Sequence, residues 1–98
     1  MPENNDIARV HVWVTGRVQS VGFRSHVQYN AIQAGVMGWV RNVGYDSVEA
    51  VAEGPREGLD RLVEQMKTGP TGSRVDESKV EWEVPTAEFT RFYIRRSS

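Results

Sequence analysis

Valines at positions 10, 12 and 14 alternate with His11, Trp13 and Thr15 within the run Ile7 to Thr15. A period of two sends successive side chains to opposite faces of a strand, and the bulky residues in the second phase predict that both faces are at least partly covered. Gly16 to Gly22 breaks the pattern with glycine. Phe23, Val27, Ala31 and Ala34 then recur at helical spacing until Gly35, which predicts a helix of about three turns closed by a left-handed cap.

Val36 to Val43 and Ser47 to Glu53 are short strand-like runs on either side of Gly44-Tyr45-Asp46, and so predict a hairpin. Gly54-Pro55 opens a second helix, with Pro55 tolerated in its first turn and Leu59, Leu62, Val63 and Met66 as the apolar stripe. Gly69-Pro70 ends that helix, and Thr68 to Ser73 reads as a loop. Val80, Trp82 and Val84 alternate with Glu81 and Glu83 as a strand with one wet face, and Phe89 to Ile94 supplies a fifth strand. The order strand, helix, strand, strand, helix, strand predicts an α+β, ferredoxin-like βαββαβ sandwich: an antiparallel sheet, two helices on one face, and a short C-terminal edge strand. Residues 7–98 are expected to form a single domain, preceded by a polar, disordered extension over residues 1–6.

Composition narrows the function classes. Twelve Lys and Arg against thirteen Asp and Glu give a formal charge of -1, so no global cationic field recruits nucleic acid or an anionic membrane, and any bound anion must be held locally. Without cysteine there is no thiolate nucleophile, disulfide or sulfur-ligated metal. No apolar run approaches the roughly 18 to 20 residues of a bilayer span, and the start of the chain lacks the pattern of a signal peptide, so a cytoplasmic monomer is expected.

The candidate chemistry lies in Gly16-Arg17-Val18-Gln19-Ser20-Val21-Gly22-Phe23-Arg24, between the first strand and the first helix. A helix start presents unsatisfied N–H groups and partial positive charge, and a glycine-bearing loop leading into it can turn consecutive amides toward one anion. Arg24, in the first turn, would add a planar, permanently charged fork. Spacing alone leaves the bland alternative open, in which the glycines allow a tight turn and Arg24 is a solvated surface residue.

Gly16 to Arg24 resembles the acylphosphatase signature G-R-V-Q-G-V-x-F-R, matched in every fixed place except Ser20, where the family usually has glycine. A second signature, G-W-x-x-N followed by a turn and x-V-E-x-x-x-x-G, is matched by Gly38-Trp39-Val40-Arg41-Asn42 and Val48 to Gly54. The likeness runs from Ile7 onward. It implies hydrolysis of acyl phosphates to carboxylate and inorganic phosphate without metal or cofactor. It further implies that Arg24 is the phosphate-binding arginine, that Asn42 is the water-positioning asparagine, and that Arg17, Val18, Gln19, Ser20, Val21 and Gly22 form the substrate-binding loop. The implied ligands are a small acyl phosphate and, as product or competitor, inorganic phosphate or sulfate. Two departures stand out. Ser20 would be strained if the position has a positive φ, and Gly44-Tyr45-Asp46 replaces the family's proline-aspartate-glycine turn.

Outside the two motifs, His11 reads as a sheet-face histidine and His26 as a surface residue. The pairs Glu49 with Glu53 and Asp60 with Glu64 read as solvated faces rather than metal ligands, and Trp13, Trp39 and Trp82 as packed against sheet neighbours or helices. The rival functional readings are a non-catalytic phosphate-binding relative and a ferredoxin-like RNA-binding module. The second lacks a recognisable ribonucleoprotein motif and a basic surface.

Overall fold

A computed structural model describes residues 7–98; the expected N-terminal extension lies outside the described residues. The elements in chain order are β1 (Ile7–Arg17), α1 (Phe23–Ala34), β2 (Met37–Val43), β3 (Ser47–Pro55), α2 (Arg56–Thr68), β4 (Arg74–Glu83) and β5 (Phe92–Ile94). The strands form one sheet in the order β4-β1-β3-β2-β5, with both helices packed on one face. The four long strands pair antiparallel, as the pattern predicted, whereas β5 pairs parallel to β2. The sheet is therefore mixed.

The core follows from the two periodicities. Val10, Val12 and Val14 of β1 are fully buried and meet Val48, Ala50 and Ala52 of β3 on the helix-covered face. Against them α1 sets Phe23, Val27 and Ala31, and α2 sets Leu59, Leu62, Val63 and Met66. Burying such side chains is worth about 1.5–3 kcal/mol each, which secures the angle at which α1 leaves the sheet. Gly35 caps α1 at φ 74, the left-handed geometry expected of it.

Pro55 does not begin the second helix. It closes β3 in an extended conformation, φ -60 and ψ 137, and α2 starts at Arg56. β4 begins at Arg74, well before the predicted run at Val80, because it is an edge strand with nearly all of its positions exposed. Charged residues there lose nothing to burial and keep other chains from adding to the edge. Phe89 and Thr90 make no main-chain bond to β2, and Arg91 contributes only its carbonyl, which accepts the Gly38 amide at 2.9 Å, so the fifth strand is shorter than predicted. No helix among the described residues is long and apolar enough to cross a membrane.

Residues 84–91 connect the two opposite edges of the sheet, and this crossing corrects the expectation for Glu53. Its carboxylate is buried, accepting the Thr86 amide at 2.7 Å, the Ala87 amide at 2.9 Å and the Arg9 guanidinium at 2.8 Å. Burial opposes its ionisation, but those donors prevail and hold the carboxyl below the usual range. Glu49 is buried too, on the sheet face away from the helices, and accepts His11 Nε2 at 2.6 Å and Arg41 Nε at 2.8 Å. Burial again works against the charge and the two hydrogen bonds outweigh it. Neither glutamate is a solvated face. Both lock neighbouring strands together.

Candidate active site

The end of β1, the start of α1 and the end of β2 meet at one edge of the helix-covered side. Gly16 makes this approach possible: at φ 141 its amide donates to the Asp46 carbonyl at 2.9 Å, and a Cβ there would lie 2.3 Å from the Arg74 carbonyl oxygen. Beyond Arg17 the chain leaves the sheet, buries Val18 and curls through Ser20 and Gly22, both at positive φ, into α1. Asn42 lies on β2 opposite Val48 and two residues beyond buried Val40, so it shares their helix-facing side. Its carbonyl accepts the Ser98 amide at 2.9 Å, which fixes the backbone that carries the carboxamide.

These elements enclose a cleft of about 190 Å³. Val18, Gln19, Ser20, Gly22, Arg24 and Asn42 all line it, together with Phe23, Ser25 and Ile94. Arg17 and Val21, expected in the substrate-binding loop, do not. Arg17 ends β1, exposed and opposite Arg74, and Val21 is half-buried against the core. Ser25 and Ile94 were not foreseen. Ser25 follows Arg24 in the first helical turn, so its place at a helix start was available as a signal. Ile94 arrives from β5, whose parallel pairing with β2 no local pattern announces.

Three features make the cleft suited to an anion. Among the described residues, the amides from Gln19 to Ser25 donate to no main-chain carbonyl and to no side chain; the first helical bond runs from the His26 amide to the Gly22 carbonyl at 3.0 Å. Helix α1 has no side-chain N-cap and no acidic residue in its first turn, so nothing there neutralises its positive end. Among the described residues no carboxylate lines the cleft and Arg24 has no ion-pair partner. Partnerless amides in succession are uncommon in a folded chain and mark a place where an outside acceptor fits.

Ser20 has φ 61, so the departure at this position carries the strain anticipated for a non-glycine residue. Glycine would relieve it at the cost of a looser unfolded chain, a net gain of about 0.5–1 kcal/mol. Ser20→Gly is expected to raise Tm by roughly 2–8 °C in a thermal melt, with acyl phosphatase turnover retained or increased. An unchanged or lowered Tm would contradict the strain.

The remaining candidates lie away from the cleft or serve packing. His11 stacks on Trp13 with ring centroids 3.7 Å apart and bridges Glu49 and Glu83 on the opposite sheet face. His26 is half-buried rather than a plain surface residue, edge-on to Phe23 at 6.3 Å. Trp39 is buried with Arg95 over its ring at 4.4 Å, and Trp82 sits under Arg56 at 3.7 Å. Asp60 is exposed and pairs with Arg56, and Glu64 is exposed as expected. No group of three or more potential metal ligands occurs among the described residues.

Known proteins share the sequence and the fold of this chain. A sequence model of the acylphosphatase family matches residues 10–94. An acylphosphatase of Roseiflexus sp. (strain RS-1) is 45% identical over 89 residues, covering 91% of this chain and 96% of the relative. The crystal structure of acylphosphatase from Bacillus subtilis superimposes with a TM-score of 0.85 at 38% identity, covering 90% of this chain and 98% of that one. An acylphosphatase structure from Coxiella burnetii gives 0.85 at 34% identity, covering 91% and 93%. Family match, sequence relatives and fold all lead to one conclusion: the chain belongs to the acylphosphatase family, enzymes that hydrolyse acyl phosphates.

Proposed function

We propose that the enzyme holds the phosphoryl group of its substrate on the loop amides and the Arg24 guanidinium, and that Asn42 aims a water at phosphorus. The observation that carries this reading is that amides without a partner, an arginine without an acidic partner and a carboxamide border one cleft that, among the described residues, no carboxylate lines.

The chemistry asks for little more. Water attacks phosphorus in line, the bond from phosphorus to the acyl oxygen breaks, and the carboxylate leaves with the electron pair. The attacking water's protons pass to the phosphate product and to solvent. Because the leaving carboxylate has a conjugate acid of pKa about 4, neither a strong general base nor a general acid is needed. Positioning and charge stabilisation carry the rate. The amides and Arg24 hold the equatorial oxygens, and Asn42 fixes the water by accepting from it or donating to it. Inorganic phosphate fits the same cradle as a competing anion. Every group named here comes from one chain, so the site is complete in a monomer.

This scheme gives no step to a metal ion. Benzoyl phosphate turnover is therefore expected to be undiminished in excess EDTA, followed spectrophotometrically. Loss of turnover that a divalent cation restores would refute the metal-free part of the proposal and leave the amide cradle to be tested separately.

A further inference from the structure

Gln19 has a side chain with a different task from its neighbours in the loop. Its Nε2 donates toward three main-chain carbonyls of the β2–β3 turn: Ser47 at 2.9 Å, Gly44 at 3.2 Å and Val43 at 3.4 Å. A carboxamide nitrogen has two hydrogens, so Ser47 and Gly44 take the best of them and Val43 shares. Three acceptors around one atom also settle which end of the amide faces the turn, since the oxygen there would meet only other oxygens.

The elements joined in this way matter for the site. The loop carries the amides that lead to Arg24, and the turn begins one residue beyond Asn42, after Val43 ends β2. The Gly16 amide ties the end of β1 to the Asp46 carbonyl of the turn at 2.9 Å, but beyond Arg17 no main-chain bond connects the loop with the turn, because the loop has left β1 before Gln19 is reached. A second tie nearby, between the hydroxyls of Thr15 and Ser47 at 3.0 Å, joins strands that already pair in register at those residues. It adds stability without setting a new distance. The Gln19 side chain does set one.

We infer that Gln19 is a positioning residue: its carboxamide fixes the phosphate loop against the hairpin turn and thereby sets the spacing between the phosphate cradle and the Asn42 side chain. It acts on the attacking water through Asn42 and not by touching substrate. The inference rests on the roles proposed above for the loop and Asn42.

Gln19→Met keeps the length of the side chain and removes its donors. It is expected to lower kcat for benzoyl phosphate about 10-fold to 10²-fold, as a displacement of about 1 Å would. The inhibition constant of inorganic phosphate should stay at its wild-type value, because the amides and Arg24 are still present. The double variant Gln19→Met/Asn42→Ala should be no slower than Asn42→Ala alone, since a residue that works only through Asn42 has nothing left to position. Thr15→Val should lower Tm while kcat is unchanged. If Gln19→Met does not fold, Gln19→Asn, which keeps the donors but is too short to reach, takes its place in every arm.

Several results would overturn the inference. Full additivity in the double variant would mean that Gln19 acts independently of Asn42. A phosphate inhibition constant that rises with the loss of kcat would make Gln19 a substrate contact. An equal loss of kcat in Thr15→Val would reduce the effect to general loosening. Wild-type kcat in Asn42→Ala would refute the role of Asn42 itself, whereas a slow Asn42→Ala beside an unaffected Gln19→Met would refute the role of Gln19 alone.

Discussion

Arg24→Gln is expected to lower kcat/KM for benzoyl phosphate by about 10³-fold, a loss of about 4 kcal/mol of transition-state stabilisation. Arg24 stands in the first turn of α1, in a cleft where no carboxylate among the described residues absorbs its charge. Glutamine keeps much of the side chain's length and a single donor group, but it removes the permanent charge and the planar fork that can bind two oxygens at once. Both substrate and transition state carry phosphoryl charge, so the loss should appear in KM as well as in kcat. Because Arg24 has no ion-pair partner among the described residues, the variant should fold normally, as circular dichroism and a thermal melt would show. Unchanged kcat/KM in a folded variant would contradict the phosphate-holding role.

Asn42→Ala tests the other half of the mechanism and should behave differently. Removing the carboxamide leaves the amides and Arg24 untouched, so KM should hold while kcat falls by about 10²-fold or more, from the loss of an aimed nucleophile. The side chain makes no hydrogen bond to the protein among the described residues, and the backbone is secured by the β2 ladder and by the Ser98 amide. The substitution therefore removes a group facing the cleft without unpairing another. Retention of wild-type kcat would show that the water is placed by something else.

Much of the fold was readable because its core obeys simple periods. Val10, Val12 and Val14 could be assigned to one face before any neighbour was known, as could Leu59, Leu62, Val63 and Met66. The first half of β4 could not, because an exposed edge strand has little apolar residue to alternate, and Arg74 to Lys79 offers only Val75. Local spacing makes Glu53 look solvated, because its burial depends on Thr86 and Ala87, more than thirty residues away, folding across the sheet end. Long-range cover of this kind leaves no trace in local spacing.

The site divides in the same way. Arg24 and Asn42 come from motifs with fixed spacing, and the structure brings both to one cleft. The strain at Ser20, which has φ 61, was legible only through the resemblance, because the family's glycine at that place implies a backbone that a serine adopts at a cost. What the sequence hid is the direction of side chains within the loop. Arg17 lies exposed at the end of β1, Val21 turns to the core, and the Gln19 carboxamide bonds to the turn between β2 and β3. Ile94 joins the cleft only because β5 reaches β2 from the far edge of the sheet.

The division of labour between holding phosphate and aiming water is tested most directly by the inhibition constant of inorganic phosphate, measured side by side in the wild-type enzyme, Arg24→Gln and Asn42→Ala. The account requires a clear weakening in the arginine variant and none in the asparagine variant. Equal inhibition in all three proteins, or weakening confined to Asn42→Ala, would contradict it.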